Sequence, residues 1–187
     1  AADPIESEQA APSNRSAMRA LMWFRSDLRT RDNIAFHHAA KDAADGVIGV
    51  YVISPQEWRS HDTAACRVDF TLRTLSILAR SLGDLGIPLV VRTAERASDV
   101  AVVLVKLAAR YGCETLYFNR EYEVDESRRD AKVSSEFEKS GRRVRAFDDQ
   151  VILTPGDVRT GDGRFFTVFT PYKRAWVARL ADRDSTL

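Results

Sequence analysis

Two stretches of this sequence combine residue types and spacings that could do chemistry. The first is Trp23-Phe24-Arg25-Ser26-Asp27-Leu28-Arg29-Thr30-Arg31-Asp32-Asn33, where arginines interleave with aspartates directly after an apolar run. Paired charges in a loop are commonly scaffolding, so local ion pairs are the expectation for the arginines. Asp32 or Asn33 would cap the following helix. The functional reading is a ligand-facing loop. The second stretch is Tyr117-Phe118-Asn119-Arg120-Glu121-Tyr122-Glu123-Val124-Asp125-Glu126-Ser127-Arg128-Arg129-Asp130, again between an apolar run and a helical pattern. Asp125 could cap that helix, and acids in a first turn favour the helix dipole. A carboxylate there could equally accept two parallel hydrogen bonds from a planar donor pair, such as a guanidinium or the amino-pyrimidinone edge of a pterin. The residues alone leave both readings open.

Other chemistries lack their residues. No GxGxxG follows the first apolar run and no GxxxxGK[ST] occurs, so the two common phosphate-cradling loops are missing. There is no GxSxG elbow to expose a nucleophilic serine. His37, His38 and His61 have neither metal-ligand spacing nor a paired carboxylate motif, and read as surface or core-edge histidines. Cys66 and Cys113 stand far apart without a CxxC, which supports neither a disulfide framework nor a cysteine metal site. A reducing, cytoplasmic compartment is the default expectation.

The elements that must position these loops follow from hydrophobic patterning. Short apolar runs at 20–24, 47–53, 88–92, 114–118 and 143–147 alternate with longer stretches of helical period. Several runs are continuously apolar, as in strands covered on both faces of a parallel sheet. Helices are expected over 33–42, 67–85, 99–111 and 125–140, with Ser98 capping the third and glycines 86, 112 and 141 following three of them. Repeated strand–helix alternation with right-handed crossovers predicts a doubly wound, mainly parallel five-stranded α/β sheet with helices on both faces, Rossmann-like in architecture. Ligands of such sheets lie beyond the carboxyl ends of the strands. That rule selects the loops after Phe24, Ile53 and Phe118.

Over the 187 residues, 28 Lys+Arg against 27 Asp+Glu give a formal charge of +1, which argues against a surface that is a polycation throughout. With 44% hydrophobic and 29% charged residues, the composition is that of a globular domain. No apolar run approaches the length of a membrane span. Residues 1–17, rich in Ala, Ser, Pro and Glu, read as a disordered leader rather than a signal peptide. The α/β domain then covers 18–150. Residues 151–187, with Pro155-Gly156, Gly161-Asp162-Gly163 and a basic, aromatic end, read as an ordered extension and the start of an interdomain linker.

Three segments, WFRSDLRTRDN, NREYEVDESRRD and FDDQVILTPGDVRTGDGRFFTVFTPYKRAW, resemble in order and spacing the amino-terminal domain of the DNA photolyase and cryptochrome family. The resemblance is closest to the folate-type cyclobutane pyrimidine dimer photolyases and runs from about Met18 to about Leu180. It implies a light-harvesting domain that binds an antenna chromophore, commonly methenyltetrahydrofolate. It further implies FAD in a helical domain that this sequence does not contain, and damaged DNA as the partner of the full-length protein. Glu126 matches the glutamate that hydrogen-bonds the pterin ring in the family, and Asp125 falls where folate-type members usually carry asparagine. A carboxylate only accepts hydrogen bonds where an amide both donates and accepts, so a deazaflavin antenna, or none, stays open. Trp23, Trp58 and Trp176 are not expected to form the family's electron relay, and Trp23 reads as core. The rival readings are a cryptochrome-like photoreceptor domain and a nucleotide-binding α/β domain.

Overall fold

The computed structural model describes residues 19–184, so the proposed leader at 1–17 lies outside the described residues. Five strands form one wholly parallel sheet: β1 (Arg19–Phe24), β2 (Val47–Ile53), β3 (Leu89–Thr93), β4 (Cys113–Asn119) and β5 (Arg143–Phe147). Their order is β3-β2-β1-β4-β5, so strand order reverses between β1 and β4. The helices are α1 (Ile34–Asp42), α2 (Pro55–Ser60), α3 (Ala65–Gly83), α4 (Val100–Tyr111), α5 (Val124–Lys139) and α6 (Phe169–Asp184). The doubly wound α/β architecture is therefore as the patterning predicts.

The central strand shows why both faces need cover. Along β1, Leu21 and Trp23 point to one side, while Ala20, Met22 and Phe24 point to the other. The Trp23 side packs on Leu104, Leu107 and Ala108 of α4 and on Val133 and Phe137 of α5. The Phe24 side packs on Ala35, Phe36 and Ala39 of α1 and on Leu75, Leu78 and Leu82 of α3. Trp23 is core, 2% exposed. Gly49 in β2 sits where a Cβ would meet Leu82, Leu89 and Phe24 side chains at 3.2–3.3 Å, so a larger residue would have to push these neighbours aside by a few tenths of an ångström.

The ends of the elements differ from expectation in instructive places. Asn33, not Asp32, caps α1: its side chain accepts from the Phe36 amide, while Asp32 takes a left-handed φ of 50° just before it. Ser98 does not cap α4. It sits in a single 3-10 turn, Ala97–Asp99, and its hydroxyl bonds Asp99 instead. Gly112 ends α4 in the left-handed conformation, φ 65°. Asp125 lies inside the first turn of α5 and is not its cap, which is Glu123. Two helices went unseen in the patterning, α2 and α6. Pro171 in α6 falls at the third residue, within the first turn, where the missing N–H costs no helical hydrogen bond. Among the described residues, no helix is long and apolar enough to cross a membrane.

Candidate functional site: a charged cleft at the carboxyl edge of the sheet

The loops after β1 and β4 meet at the point where strand order reverses, and buried polar groups join them. The Asn119 amide donates to Asp27 at 2.7 Å and to Asn33 at 2.8 Å, and its carbonyl oxygen accepts from the Ala35 amide at 3.0 Å. Asp27 accepts from the Arg25 amide at 2.8 Å. These groups are buried and satisfy one another, which fixes both loops against α1. Arg29 pairs with Asp149 at 2.5 Å, so the scaffolding reading of the first stretch holds for Arg25 and Arg29.

Beside this hub lies a cluster of buried ions. The Arg25 guanidinium donates to Asp130 and to the Asn119 carbonyl, and lies 4.5 Å over the Trp23 ring and 4.9 Å over Phe118. Arg129 covers Trp23 too, at 5.1 Å, and pairs with Glu121 at 2.6 Å and Asp130 at 3.5 Å. The side chains of Glu121, Arg129 and Asp130 are each 11% exposed. Burial alone would raise the Glu121 pKa, but Arg25, the Ser26 hydroxyl and Arg129 together hold it below the usual glutamate range. Tyr51, at the same end of β2, is pushed up to about 12 by burial and then by Glu121 and Glu57, with Arg129 opposing.

Arg129 also forms the inner wall of a cleft of about 360 Å³. One side of the cleft is α2 with His61 behind it, contributing Gln56, Glu57 and Ser60, extended by Ala97 and Ser98 of the 3-10 turn. The other side is one face of α5: Asp125, Arg128, Arg129 and Lys132, at helical offsets of three, four and seven. Two contacts cross it, Glu57 to Arg129 at 3.6 Å and the Lys132 ammonium donating to the Ser98 carbonyl at 3.0 Å. Neither α2 nor the 97–99 turn contains a buried residue.

The two residues that the sequence singles out part company here. Asp125 lines the cleft, where its exposed carboxylate pairs with Arg128 at 3.4 Å. Glu126, the next residue in the first turn of α5, is half-buried, is not among the lining residues, and makes no ion pair among the described residues. Glu57, His61, Ser98, Arg129 and Lys132 were not read as site residues. The spacing of 125, 128, 129 and 132 on one helical face was the legible signal for part of the set; nothing local announced Glu57 or Ser98.

Comparison with known proteins agrees with this fold. The family model described as DNA photolyase matches residues 20–186. A deoxyribodipyrimidine photo-lyase of Vibrio cholerae is 39% identical over 157 residues, which is 84% of this chain and 33% of that protein. The crystal structure of a bacterial class III photolyase from Agrobacterium tumefaciens superposes with a TM-score of 0.68 at 27% identity, over 89% of this chain and 33% of that one. An archaeal photolyase from Sulfolobus tokodaii, solved with two FAD molecules, gives 0.67 at 26%, over 84% and 34%. The chain thus spans about a third of the length of the relatives it matches. A match over nearly all the described residues, on a fold whose carboxyl edge carries the motif residues, means that the chain belongs to the DNA photolyase family.

Proposed function

We propose that this chain is the light-harvesting α/β part of a deoxyribodipyrimidine photolyase, the class of enzyme that uses light to repair cyclobutane pyrimidine dimers in damaged DNA, and that it holds the antenna chromophore at the cleft between α2 and α5. The observation that carries the reading is the position of Asp125 on the lining of a cleft at the carboxyl edge of the sheet, with Glu126 beside it in the same helical turn. The volume, about 360 Å³, falls in the range of about 300–1,000 Å³ typical of small-molecule sites. The lining mixes acceptors, Asp125 and Glu57, with donors, Ser60, Arg128 and Lys132, as a ring with a polar edge requires.

In this reading Asp125, on the lining, accepts from the donor edge of a pterin ring. Glu126, beside the lining in the same helical turn, swings its carboxylate in to accept from that edge when the ring binds, and Arg129 fixes the inner wall. Bound there, the antenna supplies absorption of near-ultraviolet or blue light, passed on to the flavin. FAD, and most of the lesion-binding surface, belong to the helical part that makes up the rest of the relatives' length. Asp125 in place of asparagine keeps a deazaflavin or another flavin-type antenna as the alternative ligand, which the archaeal relative's second FAD makes concrete.

The test is a titration of methenyltetrahydrofolate, followed in the near-ultraviolet, against the wild-type chain and Glu126→Gln. Loss of a hydrogen bond to a charged acceptor should weaken binding about tenfold or more. Equal affinities would remove Glu126 from the site. No binding of either a folate or a deazaflavin by the wild type would sink the antenna reading.

A further inference from the structure

Resting on the antenna reading, we infer that Lys132 and Arg128 form a subsite for the anionic tail of the antenna, at the solvent end of the cleft. The chemistry in question is a chain of carboxylates or a phosphate attached to an aromatic ring, as in a folyl poly-γ-glutamate or a flavin mononucleotide. Three cations line this cleft, Arg128, Arg129 and Lys132, against two carboxylates, Glu57 and Asp125, with His61 as the remaining titratable group. Both carboxylates are engaged. Glu57 faces Arg129 at 3.6 Å, and Asp125 faces Arg128 at 3.4 Å. Arg129 is further neutralised from behind by Glu121 and Asp130.

Lys132 is different. Its ammonium donates to a neutral acceptor, the Ser98 carbonyl, at 3.0 Å. That bond leaves two of its three N–H donors free for a ligand, and among the described residues no carboxylate stands within ion-pair distance of it. The acid one turn along, Glu136, pairs with Lys139 at 2.8 Å and acts on Lys132 only as a charge beyond ion-pair distance. Arg128 lies four residues before Lys132, so the two cations stand one above the other on the cleft face of α5. Its pair with Asp125 joins side chains 77% and 59% exposed, a kind of contact that contributes little and yields readily to a ligand anion. Arg129, at 11% exposure, marks the inner end of the same face, whereas Arg128 and Lys132 are exposed. A ring seated towards Arg129 would therefore lead its tail out past both cations. The inner wall also contains a buried donor with no acceptor, Arg129 Nε.

The experiment compares two ligand pairs on the 187-residue chain, monoglutamyl against triglutamyl methenyltetrahydrofolate, and riboflavin against flavin mononucleotide. The wild type should prefer the tailed member of one pair by about three- to tenfold at low salt, with the preference fading as salt rises. The pair that shows it identifies the tail. Lys132→Met should bring the ratio towards one, and Lys132→Arg should restore it. A wild type with no preference in either pair, or a preference that survives Lys132→Met, overturns the subsite while leaving the antenna reading intact. If no ring binds, the antenna reading fails. The subsite is then judged with free tri-γ-glutamate and inorganic pyrophosphate, read by amide shifts at Ser98, Arg128 and Lys132. Shifts that vanish in Lys132→Met retain it, and their absence in the wild type ends it.

Discussion

Glu121 shows how much one residue can hold when it is buried between two guanidinium groups. Its carboxylate faces Arg25 at 3.7 Å and Arg129 at 2.6 Å, and it accepts from the Ser26 hydroxyl. Its folded-state pKa is depressed, because these partners outweigh the burial that would raise it. A depressed acid contributes stability above its unfolded value, about 4.3, and loses it as pH falls through the folded value. Glu121→Gln should therefore be less stable near neutral pH by about 3–5 kcal/mol, since two buried arginines lose a counter-ion. It should also show a flatter fall in stability below about pH 4.3 than the wild type. Urea midpoints measured across that window check both. Parallel acid limbs in the two proteins would mean that Glu121 does not carry the linkage.

At the scale of elements, α2 is the loosest part of the cleft. It begins with Pro55, buries no residue, and is tied down by few contacts: the Gln56 amide to the Glu95 carbonyl at 3.3 Å, Arg59 to Glu95, and Glu57 across the cleft to Arg129 at 3.6 Å. The Arg59 pair is exposed, 66% and 61%, and contributes little. The Glu57 pair, at 20% and 11%, is the stronger tie to α5. Replacing Glu57 by Gln should speed amide exchange at His61 and at Trp58, which donate within this turn to the carbonyls of Glu57 at 3.0 Å and Ser54 at 3.2 Å. About fivefold is expected, with the amides of β1 and β4 unmoved. Unchanged exchange in α2 would show that the helix is held by something other than Arg129.

For the molecule as a whole, one sheet serves two cores. Phe137 of α5 fills the core on the Trp23 side and Leu82 of α3 the core on the Phe24 side, and neither is exposed. Phe137→Ala should cost about 3–5 kcal/mol and Leu82→Ala about 2–5 kcal/mol. Because β1, β2 and β4 contribute to both cores, each substitution should lower a single cooperative transition rather than create a second one. The double mutant should be close to additive, as the two sites lie on opposite faces of the sheet and share no packing partner. Thermal melts of the three variants test this; two separate transitions in either single mutant would mean that the cores unfold independently.

The amino-acid sequence by itself determined the local elements. The continuous apolar run at 47–53 became β2, 143–147 became β5 to the residue, and the stripe before Gly112 became α4. These features depend on apolar runs of strand length, on a 3.6-residue period and on single glycines, which neighbouring residues express without help from the rest of the chain. Of the three motifs, the second supplies most of the α5 wall of the cleft, Asp125, Arg128 and Arg129. Only the tertiary structure decided which residues share the cleft. Glu57 reaches Arg129, 72 positions away, because β2 and β4 flank β1 in the order β3-β2-β1-β4-β5. Ser98 becomes a wall because the end of β3 lies on the same side. Hydrophobic alternation says that a strand is buried but not beside which strand it lies, so side chains from distant loops meet only after the sheet has chosen its order.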